Sequence, residues 1–269
     1  MTQQQATPDY IRFVALGDSA TYGLGDRVGG ECRGWARLLA DAIGETHHVS
    51  FCNLAKPGAG VPDVRREQLA DAVAHQPVIA SLVVGLNDVM KSTWEPIRIR
   101  EELLECAAAL AATGAVIITV RFHDHGQVLG LPRWLARPMA RRIAVLNEIY
   151  DEVHARFGLI RVDLDSDPMT ARREFWSADR LHPSELGHRH LARLAARELN
   201  TEGLAFGPPS RQCGQPVATR RETARILAKE GGPWIARRVR DLGPWAARRG
   251  VHRVRDRITG KPAAAMLAP

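Results

Sequence analysis

Short apolar runs alternate with stretches of helical periodicity from residue 11 to residue 199 of the sequence. Most runs are apolar on both faces, which is typical of strands covered on both sides of a sheet. Strands separated by helices favour parallel pairing, because a parallel crossover needs a dozen or more residues. The sequence therefore predicts an α/β domain with a five-stranded parallel sheet. The predicted strands are residues 11–16, 48–54, 79–84, 115–120 and 159–164, and the predicted helices are residues 34–43, 62–75, 96–112, 140–157 and 184–199.

Positive charge is concentrated in the C-terminal part of the chain. Residues 1–204 contain 23 Lys and Arg against 26 Asp and Glu, whereas residues 205–269 contain 14 against 4. Gly207, Pro208 and Pro209 stand at this change and are typical of a loop. We therefore predict a globular domain over residues 1–204 and a basic, helical extension over residues 205–269.

The cysteines and the N-terminal sequence indicate a reducing compartment. Cys32, Cys52, Cys106 and Cys213 show no C-x-x-C spacing, which excludes a zinc-finger pattern and predicts free thiols. The N-terminal residues lack the basic and apolar regions of a secretion signal, and no stretch reaches the roughly 18 apolar residues of a membrane span. From these features we expect a cytoplasmic protein.

Polar and glycine residues follow several of the predicted strands. Ser19 comes three residues after the first strand ends, and Gly58 and Asn87 follow the next two strands. Asp179 and His182 lie three residues apart on the loop after the fifth strand. The carboxyl ends of parallel strands meet at one edge of a sheet, so these residues can converge there. A serine needs a base, and the base needs a partner that fixes its tautomer, which His182 and Asp179 can provide.

In these residues the chain resembles the SGNH hydrolases of the GDSL lipase/esterase superfamily. The resemblance implies a flavodoxin-like three-layer α/β/α sandwich with strand order 2-1-3-4-5. It implies Ser19 as nucleophile, His182 as base and Asp179 as the carboxylate that orients it. It further implies an oxyanion hole formed by Ser19, Gly58 and Asn87, with no metal and no organic cofactor. The four matching blocks are Gly17-Asp18-Ser19, residues 53–58, Gly85-Leu86-Asn87-Asp88 and Asp179-Arg180-Leu181-His182-Pro183.

Other polar residues near these blocks are expected to have structural roles. Asp18, Asn53 and Asp88 are placed to hold turns or to cap helices. The pairs His123 with His125 and His188 with His190 have the spacing of a short metal motif, but lack the usual partner pattern. We expect these histidines to be solvated or in loops rather than to bind a metal.

The segment from residue 121 to residue 139 is irregular in pattern and follows the fourth strand. Its apolar side chains either belong to the core or line a substrate pocket at the active edge of the sheet. The predicted pocket residues are Leu86, Leu129, Leu131 and Trp134, with Leu135 and Met139 nearby.

The sequence predicts a serine ester hydrolase that works through an acyl-enzyme on Ser19. A thioesterase, a lysophospholipase, a carbohydrate O-deacetylase and an acyltransferase could use the same residues. The alternative from a different class is a binding protein that acts through its basic extension. Fold alone does not choose among these substrates.

The basic extension carries apolar residues at helical spacing, with arginines between them, over residues 216–258. This composition is typical of an amphipathic helix on an anionic membrane surface. Alternatively, the apolar stripe packs on the globular domain and the arginines face solvent. Nucleic acid is a weaker candidate partner, because aromatic residues are too sparse for a stacking platform. The protein would then be cytoplasmic and peripheral to a membrane. The pattern does not specify an oligomeric state.

Overall fold

Five parallel strands form the central sheet of the computed structural model, which describes residues 10–214. Their spatial order is the second, first, third, fourth and fifth in the chain, which confirms the predicted order 2-1-3-4-5. A short antiparallel hairpin, which the sequence pattern did not predict, lies outside this sheet. The strands are β1 (Tyr10–Gly17), the hairpin strands β2 (Arg27–Val28) and β3 (Glu31–Cys32), β4 (His48–Asn53), β5 (Ile79–Val83), β6 (Val116–Arg121) and β7 (Ile160–Asp163).

Helices cover both faces of the sheet, as the three-layer prediction requires. The helices are α1 (Ser19–Tyr22), α2 (Gly34–Gly44), α3 (Val61–Glu67), α4 (Leu69–Ala74), α5 (Leu86–Val89), α6 (Pro96–Ala111), α7 (His125–Val128), α8 (Arg133–Phe157) and α9 (Glu185–Thr201), with two short 3₁₀ turns at Pro168–Ala171 and Arg173–Phe175. Helices α2 and α9 pack together on one face, and α3, α4, α6 and α8 pack on the other. The predicted basic helical extension at residues 216–258 lies outside the described residues. No helix within residues 10–214 is long and apolar enough to cross a membrane.

The apolar runs are buried because helices cover them on both sides. All five residues of β5 are buried, and β1 is buried from Phe13 to Gly17. The edge strand β4 alternates between exposed and partly buried residues, as expected for a strand with one open side. Removing this apolar surface from water is the main favourable contribution to the fold.

Helix boundaries differ from the sequence-based prediction in residues 121–139 and in residues 62–75. The segment from residue 121 to residue 139 was predicted to be irregular, but α8 begins at Arg133 and includes Pro138. Pro138 lies inside the helix, one turn beyond its start, and there it removes one backbone N–H donor. The single helix predicted over residues 62–75 is divided at Gln68 into α3 and α4.

Gln68 breaks that helix because its side chain binds the end of β1. Its Oε1 accepts a hydrogen bond from the Gly17 N–H at 2.9 Å, and its Nε2 donates to the Gly17 carbonyl at 2.9 Å. The side chain is fully buried. The Gly17 carbonyl has a second partner, because it also accepts a hydrogen bond from the Lys56 N–H. The loss of Gln68 would therefore affect the Gly17 N–H more than the Gly17 carbonyl. Gln68 therefore fixes the strand end from which the chain turns into Ser19.

Side chains of α8 attach this helix to the ends of two strands. Asn147 Oδ1 accepts from the Phe122 N–H and its Nδ2 donates to the Phe122 carbonyl, both at 2.8 Å. The Tyr150 hydroxyl donates to the Val84 carbonyl at 2.9 Å. The carboxyl edges of β5 and β6 are thus held by hydrogen bonds as well as by apolar packing.

We expect Gln68→Ala to lower the free energy of unfolding by about 1–3 kcal/mol, because the buried Gly17 N–H loses this acceptor. Urea unfolding followed by circular dichroism measures the change. The exposed Gln76→Ala variant is the control and should unfold within about 0.5 kcal/mol of wild type. Equal midpoints for the two variants would contradict a positioning role for Gln68.

Candidate active site

The end of β1 delivers Ser19 to the carboxyl edge of the sheet. A Cβ atom at Gly17 would lie 2.4 Å from the Val83 carbonyl oxygen, so the close approach of β1 and β5 requires glycine there. Ser19 is the first residue of α1, whereas the sequence pattern placed it in a loop. Asp18 caps this helix by accepting a hydrogen bond from the Ala20 N–H at 3.0 Å.

Ser19, His182 and Asp179 form a continuous hydrogen-bonded chain. His182 Nδ1 lies 2.7 Å from Asp179 Oδ2, and His182 Nε2 lies 2.8 Å from Ser19 Oγ. His182 is 8% exposed, so its imidazole is largely shielded from water. The structure thus brings together the three residues that the sequence predicted as a triad.

The loop that carries Asp179 and His182 is held by its own backbone. Asp179 Oδ1 accepts hydrogen bonds from Ser177 Oγ at 2.6 Å, the Leu181 N–H at 2.8 Å and the His182 N–H at 3.0 Å. Trp176 pairs with Pro183 in an isolated antiparallel bridge. One carboxylate oxygen therefore shapes the turn, while the other faces the imidazole.

The charge state of Asp179 fixes the tautomer of His182. Burial alone would raise the pKa of the Asp179 carboxyl, but the hydrogen bond and charge of His182, with the Ser177 hydroxyl, hold this pKa well below its ordinary value. An ionised carboxylate can only accept, so His182 carries its proton on Nδ1. The free lone pair on Nε2 then accepts a hydrogen bond from the Ser19 hydroxyl.

Of the three predicted oxyanion donors, Gly58 lies in the loop after β4 and Asn87 lies in α5. Gly58 is exposed and has φ +83°, a left-handed backbone angle that favours glycine. Asn87 is the second residue of α5 and is 4% exposed. Its Nδ2 donates to the Ala59 carbonyl at 3.0 Å and lies 3.4 Å from Asp18 Oδ2. Asn87 is therefore tied to the loop of Gly58, and oxyanion binding by both residues stays a prediction.

Asn53 and Asp88 make the structural contacts expected of them. Asn53 Nδ2 donates to the Thr21 carbonyl at 3.0 Å, which joins the β4 loop to α1. Asp88 Oδ2 accepts from the Val61 N–H at 2.9 Å at the start of α3. Burial raises the pKa of Asp88, although Lys91 favours its charged form. Both side chains support the loops around the site.

The predicted pocket residues lie near the protein surface, in the segments that follow β5 and β6. Leu86, Leu129 and Leu131 are partly buried and pack against the core. Trp134 is 39% exposed at the start of α8. Of the nearby residues Leu135 and Met139, Met139 belongs to the buried core. Contact of the pocket residues with substrate stays a prediction.

The expectation that these histidines are solvated or in loops holds for His123, which lies in a loop, and for the partly exposed His190, but is wrong for His125 and His188, which are buried in helices. His123 and His125 are 5% and 0% exposed, and His123 Nε2 lies 2.7 Å from His125 Nδ1. His188 is fully buried, where its Nδ1 accepts from the Trp35 N–H and its Nε2 donates to the Leu24 carbonyl. Only His190 is partly exposed, paired with Asp167. Sequence spacing did not show this burial, because it depends on contacts made across the fold.

The pair His123 and His125 packs behind the catalytic loop. Their ring centroids lie 4.6 Å and 5.2 Å from that of Trp176, which precedes Asp179 on the same loop. Burial lowers the pKa of His123 to about 4, and burial together with the charges of His123 and His182 lowers the pKa of His125. The pair is therefore neutral near neutral pH and supports Trp176 without adding a charge. The one signal in the sequence for this packing against Trp176 is the aromatic composition of residues 122–125.

These buried histidines predict a loss of stability in acid. The pKa of His123 is about 4 in the folded protein and about 6.5 when unfolded, so the unfolded chain binds more protons between these values. The free energy of unfolding is therefore unaffected by this histidine above pH 6.5 and decreases as the pH falls towards 4. We expect wild type to lose about 1–2 kcal/mol more than His123→Gln between pH 7 and pH 5. Urea unfolding at the two pH values measures this, and equal losses would contradict a neutral buried His123.

Known proteins resemble this chain in sequence and in fold. Residues 15–190 match the sequence model of the GDSL-like lipase/acylhydrolase family. A search of curated proteins finds no match.

Several solved structures share the fold. The crystal structure of TesA is 19% identical and covers 72% of this chain and 99% of its own, with a TM-score of 0.59. The lipase/acylhydrolase from Enterococcus faecalis is 25% identical and covers 74% of this chain and 99% of its own, with a TM-score of 0.55. A catalytic mutant of Axe2, an acetylxylan esterase from Geobacillus stearothermophilus, is 19% identical and covers 75% and 97%, with a TM-score of 0.59.

Proposed function

This chain belongs to the GDSL-like lipase/acylhydrolase family and is a carboxylic ester hydrolase, and from that premise we propose that it works through an acyl-enzyme on Ser19. The observation that carries the proposal is the 2.8 Å contact between Ser19 Oγ and His182 Nε2, with His182 Nδ1 bound to Asp179. A hydroxyl in this position can lose its proton to the imidazole as it attacks.

In the first step, Ser19 Oγ attacks the ester carbonyl carbon and its proton passes to His182 Nε2. The resulting imidazolium lies against the ionised carboxylate of Asp179, which stabilises the positive charge. His182 then gives the proton to the leaving alcohol, and the acyl group stays on Ser19. Water activated by the same histidine releases the acid in the second step.

The tetrahedral intermediate carries negative charge on the former carbonyl oxygen. The backbone N–H groups of Ser19 and Gly58 and the side-chain amide of Asn87 are the donors proposed for it. The positive φ of Gly58 supports this assignment, because a backbone donor without a Cβ can approach the substrate closely. A thioesterase, a lysophospholipase, an O-deacetylase or an acyltransferase would use the same first step.

Ser19→Ala and His182→Ala should each lower kcat/KM for a p-nitrophenyl ester on the order of 10³-fold or more. The double variant should be little worse than either single one, because the two residues act together. Wild type should be labelled by a fluorophosphonate probe and Ser19→Ala should not. The exposed Ser50→Ala is the matched control with wild-type activity. Activity of Ser19→Ala within tenfold of wild type would exclude Ser19 as the nucleophile.

We also propose that the basic segment at residues 216–258 brings the enzyme to anionic membranes. Its arginines alternate with apolar residues at helical spacing, and each basic residue near such a surface contributes about 1 kcal/mol. The neighbouring chain is held on the domain up to residue 214. The Glu185 carboxylate accepts from the Gly214 N–H at 3.0 Å, and Arg193 donates to the Pro209 carbonyl at 2.7 Å. Residue 214, two positions before this segment, therefore lies beside α9.

Full-length protein should sediment with phosphatidylglycerol vesicles at low salt and be released as salt rises. Changing Arg248, Arg249, Arg253, Arg255 and Arg257 together to Gln should abolish most binding, whereas changing them to Lys should preserve it. Binding that is the same for the Gln and Lys variants would contradict attraction by charge. Sedimentation with neutral phosphatidylcholine vesicles is the control for apolar insertion alone.

A further inference from the structure

Arg180 has a backbone conformation that ordinarily favours glycine. Its φ is +56°, and Gln76 is the one other non-glycine residue at positive φ within residues 10–214. A Cβ atom in the left-handed region clashes with the following carbonyl, so an arginine there lowers stability relative to glycine. Strained residues of this kind cluster at functional sites, which makes the Arg180 side chain a candidate for a role.

The strained residue lies within the catalytic loop itself. The Arg180 N–H donates to the Ser177 carbonyl at 3.1 Å, and Asp179 Oδ1 accepts from the next N–H, that of Leu181. The turn that presents Asp179 to His182 therefore also sets the direction in which Arg180 leaves the backbone. In the sequence, Arg180 lies between the proposed catalytic carboxylate, Asp179, and the proposed base, His182.

The guanidinium of Arg180 reaches from this loop towards the loop after α7. A methyl group at Gly130 would have Arg180 Nη1 as its nearest neighbour, at 3.9 Å. Gly130 lies between Leu129 and Leu131, two of the predicted pocket residues. The side chain is exposed and makes no hydrogen bond or ion pair with any residue from 10 to 214. Its charge is thus available at the border of the predicted pocket.

We propose that Arg180 selects ester substrates that carry a negative charge near the scissile bond. A guanidinium binds carboxylate or phosphate through two parallel hydrogen bonds, and such charge-assisted bonds are among the strong ones. The same loop aligns His182 and Arg180, so an anion held by the guanidinium places the neighbouring ester beside the base. This inference rests on the proposed hydrolysis at Ser19 and adds a class of substrate to it.

The test compares kcat/KM for matched anionic and neutral esters. One arm uses the p-nitrophenyl esters of glutaric acid and of pentanoic acid, which places the charge on the acyl side. The other uses lysophosphatidylglycerol and a monoacylglycerol of equal chain length, which places it on the alcohol side. We expect wild type to prefer the anionic ester in one arm, and the arm that responds identifies the side that faces Arg180. That preference should weaken as salt rises, because the guanidinium is exposed.

Arg180→Gly and Arg180→Gln should lose the preference for the anionic ester by about tenfold to a hundredfold and keep the rate on the neutral ester. Arg180→Lys should retain part of the preference for the anionic ester. Arg180→Gly relieves the backbone strain, so its urea midpoint should equal or exceed that of wild type. Gln76→Gly is the matched control, because it relieves the same kind of strain at the other left-handed position and should leave the preference unchanged.

Three outcomes would overturn the proposal. The first is a wild type without preference in either arm, and the second is a preference that survives in Arg180→Gln. The third is an equal loss on neutral and anionic esters, which would make Arg180 a structural residue of the loop. Failure of the proposed function is distinguishable from these, because wild type would then hydrolyse no ester and take no fluorophosphonate label.

Discussion

The hydrogen bond between Ser19 and His182 joins residues that lie 163 positions apart in the chain. It can form only where the end of β1 and the segment after β7 meet at the same edge of the sheet. Strands β5 and β6 separate β1 from β7, so the chain after β7 must cross that edge to reach Ser19. Two 3₁₀ turns and the catalytic loop span this distance before α9 returns to pack against α2. The proposed nucleophile and base therefore depend on the whole sheet, and a local turn could not supply their geometry.

Buried polar side chains give the two ends of this hydrogen bond their precision. Gln68 holds the backbone at the end of β1, and Asp179 holds the turn that carries His182. Apolar packing alone would leave backbone donors and acceptors at the strand ends unsatisfied, at a cost of about 1–3 kcal/mol for each buried group. The same hydrogen bonds that avoid this cost also fix direction, since each requires a narrow range of distance and angle. Stability and the placement of reacting groups thus have the same source at this edge of the sheet.

Much of the fold and of the candidate site could be predicted from the sequence, because apolar runs, helical spacing and the polar blocks that follow strands are local patterns. Each strand of the five-stranded sheet was visible as an apolar run, and Ser19 and His182 followed such runs in polar blocks. The division of a helix at Gln68 was not visible, because it results from a contact with Gly17, 51 residues away. The burial of His123 and His125 was missed for the same reason, since Trp176 approaches them only in the folded chain. Spacing identifies which residues can reach a strand end, whereas the protonation and support of those residues depend on the tertiary environment.

The distribution of charge around His182 follows from its need to become positive during the reaction. Asp179, ionised and largely buried, stabilises the imidazolium at short range. A positive charge on His182 lowers the pKa of His125. A protonated His125 would in turn oppose formation of the His182 imidazolium. Its burial keeps it neutral and removes that opposition. Arg180 is also positive and lies on the same loop, but its side chain is exposed, where water and salt screen its effect on His182. A cation at the solvent-facing border can therefore attract an anionic substrate with little effect on the base, whereas the same charge behind Trp176 would impair it.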